Sequence, residues 1–212
     1  MAIKKLRSQG LPDTVSQTYL LVLGSIGLYL VGAYLPLSID LIALLMVPAI
    51  IASFIFVIMV SVTEQPIYLF AMAFSLGIIH TPVFLVADLI DPTIITEALV
   101  ATFMVFVGLT YLAFNTSEYD TFALYGFLYS ALSTMIWLGL FNIFVQNDIV
   151  EILVTYFSIL MFSGFIIVDT HEMLKDKTRS PVRHATQLFL DFINMFINLL
   201  DLLADLKKKK KK

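Results

Sequence analysis

The sequence contains no cysteine. That excludes disulfides, thiolate metal sites and a cysteine nucleophile. Lysine and arginine are also missing from the whole stretch between Ser8 and Leu174. The basic residues are confined to Lys4, Lys5 and Arg7 at the start, and to Lys175, Lys177, Arg179, Arg183 and the run Lys207 to Lys212 at the end. A nucleic-acid partner would need cations spread over a folded face, so none is expected. Charged residues of both signs make up 14% of the chain, against about a quarter in a soluble domain. A cleavable signal is not expected, because Met1 to Gln17 is polar and the first apolar run is too long for a signal h-region.

What fills the chain instead is apolar. Hydrophobic residues are 59% of the 212, and mean hydropathy is +0.93. A chain of this composition could not keep its surface wet in water, and its length suits about six or seven spans of roughly 20 residues each. The nine Met and 18 Phe fit packing and lipid contact better than a cofactor box.

The apolar runs predict an all-α integral membrane protein, with six transmembrane helices around a seventh, polar-striped C-terminal helix that either spans or re-enters. The predicted helices are Gln17 to Leu37, Ile39 to Val62, Ile67 to Ile90, Thr93 to Phe114, Thr121 to Val145 and Ile149 to Val168. A basic loop, Thr170 to Ala185, leads to the last segment, Thr186 to Leu206. Residues 1–16 read as a cytosolic segment, 17–206 as a single transmembrane domain and 207–212 as a basic cytosolic tail. The short connections argue for one compact bundle.

Basic residues near span ends are held on the cytoplasmic side. Both the N-terminus and the Thr170 to Ala185 loop carry them, which requires an even number of spans between, and six fits. The cation-attracting carboxylates Asp88, Asp91, Asp148 and Glu151, with Asp40, then fall on the far face. Acidic mouths concentrate cations, and solvated loops are acidic too.

The last segment carries His184, Gln187, Asp191, Asn194, Asn198, Asp201 and Asp205 at alternating spacings of three and four. At about 100° per residue these form one stripe. Such a helix could lie at the interface with the stripe toward water. It could equally sit inside the bundle, where Gln187, Asn194, Asn198 and Asp201 would line a polar pathway.

Asp169 and Asp191 stand inside apolar runs, and a carboxylate at membrane depth costs about 2.5–3.5 kcal/mol on insertion scales. Each should therefore find a partner, and the first six helices offer no lysine or arginine. In contact, the two would share a proton and titrate as one coupled pair. That is a pH-sensing latch, closed when sharing a proton and opened by repulsion when both ionise. The competing reading puts both at the headgroup level, paired with Arg179, Arg183 or lipid.

His80 stands mid-run before Thr81-Pro82 and reads as a helix-packing histidine. His171 and Glu172 follow Asp169, but without cysteine or an HExxH pattern they make no metal site. Asp120 follows Tyr119, yet no GxGD occurs, so protease chemistry is not supported and no enzyme is expected.

The stretches Gly77 to Ile94, Tyr129-Ser130-Ala131-Leu132-Ser133, Gly164 to Thr170 (GFIIVDT) and Leu188 to Asn194 (LFLDFIN) resemble the Bax inhibitor-1 family in its eukaryotic type. The resemblance runs from the first helix to Leu203. It implies that Asp169 and Asp191 are the family's pH-sensing pair, and that two groups of three helices surround the last segment. It also implies a calcium leak in the endoplasmic reticulum membrane that restrains cell death. Ca²⁺ would be the transported ion and protons the regulator, with no cofactor. An alternative is a non-conducting interaction protein that binds Bcl-family or other cell-death regulators. The sequence departs from the family pattern at Thr81, where Gly is usual, at Leu85, where a Glu is usual, and in the acidic loop with Glu118 and Asp120. Lys209 and Lys210 match a dilysine retrieval signal, provided that the tail is cytosolic.

Asn115-Thr116-Ser117 is a glycosylation sequon in a loop that this orientation makes cytosolic. It is expected to remain unmodified on expression in a eukaryotic secretory membrane; efficient glycosylation, read as a gel shift reversed by glycosidase, would overturn the orientation.

Overall fold

The computed structural model describes residues 13–116, 121–176 and 178–210. Readings that fall on residues 1–12, Glu118, Asp120, Lys177 and residues 211–212 lie outside them. Within the described residues there are seven helices: α1 (Asp13–Ala33), α2 (Ile39–Thr63), α3 (Pro66–Ile90), α4 (Ile94–Asn115), α5 (Thr121–Val145), α6 (Asp148–Lys175) and α7 (Pro181–Lys210). Each is long and apolar enough to cross a bilayer. The chain is an all-α, multi-pass membrane protein.

Local chemistry sets most of the helix ends. Asp13 sits in the first turn of α1, where a carboxylate suits the helix dipole. Pro36 follows soon after the end of α1. Ser38 caps α2 by accepting the Leu41 amide at 3.4 Å. Glu64 ends α2 in the left-handed region at φ 53°, and Pro66 opens α3 at a position where its missing N–H costs nothing. The Asn147 side chain accepts from the amides of Ile149 and Val150 to start α6.

Two boundaries differ from expectation. The sixth helix does not stop at Val168 but continues to Lys175, so Asp169, Thr170, His171 and Glu172 are helical. No Gly or Pro occurs between Phe165 and Lys175 to end it. The expected basic loop from Thr170 to Ala185 therefore shrinks to the short connection before Pro181. The last helix is longer at both ends than Thr186 to Leu206. Pro181 is favourable in a first turn, and Lys207 to Lys210 suit the negative end of the dipole.

At about 1.5 Å per residue, α7 is about 45 Å long, more than the ~30 Å hydrocarbon core. Its start lies beside the start of α1, where the Thr18 hydroxyl donates to the Pro181 carbonyl at 3.4 Å. There Arg183 also stands 3.9 Å from Glu64. At the other end, Lys207 Nζ reaches Glu97 at 2.8 Å and Asp91 at 3.1 Å. Glu64 and Asp91 flank opposite ends of α3, so α7 runs the full length of the bundle rather than re-entering.

The lysine run to Lys210 is the end of a helix and not a free tail. Lys207 to Lys210 continue the helix, and they lie at the end of the bundle opposite the start of α1. If the N-terminal end is cytosolic, as the positive-inside rule expects, this end of α7 faces the other side, and the retrieval reading of Lys209 and Lys210 would not hold.

α7 is the centre of the fold. It packs against α1, α2, α3, α4 and α6, and Leu188, Phe189, Phe192, Met195, Phe196 and Leu200 are wholly enclosed. Tyr29 meets Phe84, Phe189 and Phe196 edge to face, the favourable arrangement for aromatic quadrupoles. The outer surface is apolar: Leu20, Phe54, Leu89, Trp137 and Phe144 are exposed, as suits contact with lipid tails.

α1 and α3 are pressed backbone to backbone. A Cβ on Gly77 would run into the Tyr29 carbonyl, and one on Gly32 into the Phe74 carbonyl. Small residues permit such approaches where lipid provides no hydrophobic drive between helices. The approach places Tyr29 Oη 3.0 Å from His80 Nδ1, so His80 is a packing histidine with a partner inside the bundle. Gly77→Ala is expected to push α1 from α3 at a cost of about 1–3 kcal/mol. A lowered midpoint of thermal unfolding in detergent, with Gly108→Ala as the unaffected control, checks this; nothing lies near a Cβ built on Gly108.

Candidate functional site

Asp169 on α6 and Asp191 on α7 face each other. Both are buried, at 5% and 6% exposure, and their carboxyl groups are within hydrogen-bonding reach of one another. α6 and α7 are extensively packed, and the apolar neighbours Ile166, Val168, Leu188 and Phe192 exclude water around the pair. Asp191 Oδ2 is enclosed without an N–H or O–H donor. Only a proton carried by one of the two carboxyls can close that contact. The headgroup-level reading, with arginine as direct partner of both aspartates, does not describe this arrangement.

Two further residues join the pair. Tyr125 Oη on α5 lies 2.5 Å from Asp169 Oδ1 and 2.6 Å from Glu172 Oε2. Glu172 Oε1 in turn accepts from Arg179 at 2.9 Å, and Arg179 also holds Asp176 at 3.2 Å. Arg179 therefore reaches Asp169 only through Glu172 and Tyr125. Gly164 helps to admit the tyrosine: a Cβ there would stand 2.9 Å from Leu128 Cδ2, one turn from Tyr125 on the inner face of α5.

The rest of the α7 stripe divides along its length. Gln187 is half-buried, and its Oε1 has no hydrogen-bond donor. Asn194 and Asn198 are more open, and each donates to a carbonyl of its own helix, Leu190 at 2.8 Å and Asn194 at 2.7 Å. Asp201 and Asp205 then line a cleft of about 330 Å³ between α3 and α6, with Glu151 and Thr155 on the α6 wall. An adjoining cleft of about 310 Å³ adds Asp148 and Lys209.

The far-face carboxylates are thus not one group. Asp148 and Glu151 join Asp201 and Asp205. Asp88 is exposed and apart from the cleft lining. Asp91 is occupied: it accepts from the Thr93 amide at 2.9 Å, the Thr93 hydroxyl at 2.8 Å and Lys207 at 3.1 Å. Among the described residues no cluster of His, Asp and Glu forms a metal site.

The chain matches the protein family described as inhibitor of apoptosis-promoting Bax1 over residues 11–208. It belongs to the Bax inhibitor family. An uncharacterized protein of Campylobacter jejuni is 28% identical, with 96% of this chain and 93% of that protein aligned. Bax inhibitor 1 of Drosophila melanogaster is 32% identical over 67% of this chain and 59% of its own length. The Golgi anti-apoptotic protein of vaccinia virus is 38% identical over 56% of this chain and 50% of its own length. The aligned stretches thus span little more than half of the two named relatives. Tyr125 and Glu172 were missed because neither stands out in an apolar or a basic stretch; the one available signal was that Asp169 needed a donor and the spans held no cation.

The clasp on Asp91 has a definite pH dependence. Hydrogen bonds from Thr93, backbone first, and from Lys207 draw the Asp91 carboxyl down from its ordinary 3.8 to about 2. A depressed acid contributes stability that is full above the unfolded value and is lost as pH falls through the folded one. Asp91→Asn is therefore expected to lower thermal stability equally at about pH 5 and pH 8, and less in high salt. A loss confined to the alkaline condition would contradict the assignment.

Proposed function

We propose that this protein is a pH-regulated calcium leak pathway that restrains cell death, gated by Asp169 and Asp191. One observation carries the reading: α7, the helix that the others surround, carries an unbroken polar stripe that is buried at the acid pair and open to the bundle surface at Asn194 and Asp201. It connects the buried acid pair to the carboxylate-lined cleft through Asn194 and Asn198. Polar groups inside a membrane bundle are costly and mark ion or proton pathways. Carboxylates at the cleft raise the local concentration of divalent cations, and side-chain and backbone carbonyls along the stripe offer the hard oxygen ligands that Ca²⁺ prefers. The pair lies within the stripe, between Gln187 and Asn194, where a change in its charge would alter passage.

The link to cell death is supported by the names of the Drosophila and vaccinia relatives. Placement in the endoplasmic reticulum rests on the family resemblance and not on the lysine tail. Bcl-family or other death regulators are the partners of the alternative reading, in which the protein binds and does not conduct; the exposed Lys208, Lys209 and Lys210 would serve it.

Reconstituted in liposomes, the full chain should pass Ca²⁺ at rates that differ between about pH 6 and pH 8, a window suited to a coupled acid pair. Asp191→Asn, which removes the shared proton, should bring the ratio of the two rates toward one. Flux no greater than in empty vesicles at either pH would reject conduction and leave the interaction reading.

A further inference from the structure

The acid pair was expected to share one proton between two aspartates. Hydrogen-bond counting over its neighbours gives a different number. Four groups stand in a row, Asp191, Asp169, Tyr125 and Glu172, and the row has three close links. Each link joins two oxygens and needs one hydrogen between them. A carboxylate has none to give, and the phenol has one. Tyr125 can fill one of its two links but not both. The remaining two links require two carboxyl protons among three carboxyl groups.

We propose that Tyr125 and Glu172 extend the acid pair into a proton chain that holds two carboxyl protons, with its single negative charge at Glu172 beside Arg179. This rests on the pH-regulated reading of the same site and gives that site its stoichiometry and its exit. In the filled chain Asp191 donates to Asp169, Asp169 donates to the Tyr125 oxygen, and Tyr125 donates to the Glu172 carboxylate. Every hydrogen points toward Arg179. The two most enclosed carboxyls are neutral, as burial demands. The one charged carboxylate has a cation 2.9 Å away and a side chain 20% exposed. Moving each hydrogen one place along the row carries a proton between the buried pair and Glu172, without any side chain crossing the bundle.

The surroundings leave that polarity in place. From α5 the row is faced by Tyr125 and Tyr129, whose rings stack at 6.0 Å. From the connection between α6 and α7 it is faced by Arg179 and Asp176, and at the base of α7 by His184, which is near Glu172, Asp176 and Arg179. α1 and α4 present the neutral Tyr19 and Thr110 beside Thr170. The cation on the row is thus at the Glu172 end. Tyr125 and Glu172 are positioning residues for the protons of the pair, and their role is distinct from mere packing.

The count is testable by infrared difference titration of the full chain in lipid bilayers, following the C=O stretch of protonated carboxyls. The wild type should lose two buried protonated carboxyls as pH rises. Tyr125→Phe removes both phenol links and leaves only the Asp191–Asp169 link, which needs one hydrogen, so the variant should lose one. Glu172→Gln supplies its own amide hydrogens to the tyrosine oxygen, keeps the fold-defining contact and should also lose one. Two protons in the wild type and one in each variant support the chain. One in the wild type, or two retained in both variants, overturns it. Two protons counted alongside pH-insensitive calcium flux would keep the chain and reject the functional reading on which it rests.

Discussion

A carboxyl group buried against another carboxyl, with no cation in direct contact, can be held there only by protons. Asp169 and Asp191 are in that position. The nearest arginine, Arg179, is two groups away along a line of oxygens. Replacing a direct ion pair with shared hydrogens has a physical consequence. A buried ion pair is insensitive to pH over the neutral range, whereas a chain of carboxyls is filled or emptied by pH itself. The absence of lysine and arginine from Ser8 to Leu174 is therefore part of the chemistry and not only a mark of membrane residence.

Bringing such groups together depends on how closely the helices approach. Gly32 and Gly77 let α1 and α3 touch along their backbones, which seats Tyr29 against Phe189 and Phe196 of α7. α7 is thereby fixed in rotation, with its aromatic side toward α1 and α3 and its stripe toward α6. On the other flank, Gly164 lets α5 close on α6, which allows a tyrosine to reach an aspartate on the neighbouring helix. The site is assembled from three helices, and α5, otherwise mostly lipid-exposed, is tied to it by Leu128 and Tyr125.

The sequence carried the class, the six apolar spans and the two aspartates as candidates, because each is written locally; it left open whether the seventh helix crosses. Apolar runs of about 20 residues and a spacing of three and four are one-dimensional signals. It did not carry Tyr125 or Glu172, whose partners lie on another helix and beyond an assumed helix end. That end was placed at Asp169 because polarity rises there, but hydrogen bonding continues through polar residues until something interrupts it. The helical, paired end of the lysine run is not legible for a related reason. A lysine run looks like a free solvated tail until a carboxylate far away in the sequence proves to be its neighbour, as Asp91 does for Lys207.

That pairing also changes how the acidic far face is understood. Taken together, its carboxylates suggest one broad cation-attracting mouth. Lys207 neutralises Asp91 and Glu97, and being tethered it competes for those oxygens at a fixed high local concentration. What remains is the cleft of Asp148, Glu151, Asp201 and Asp205, opposed by Lys208 and Lys209. On the proposed pathway, a cation arriving from that side would be drawn to the cleft, at the foot of the polar stripe, and not to the α3–α4 turn. The lysine run thus has two physical roles at once. Its first member fastens the end of the central helix, and its next members offset the negative charge of the cleft carboxylates.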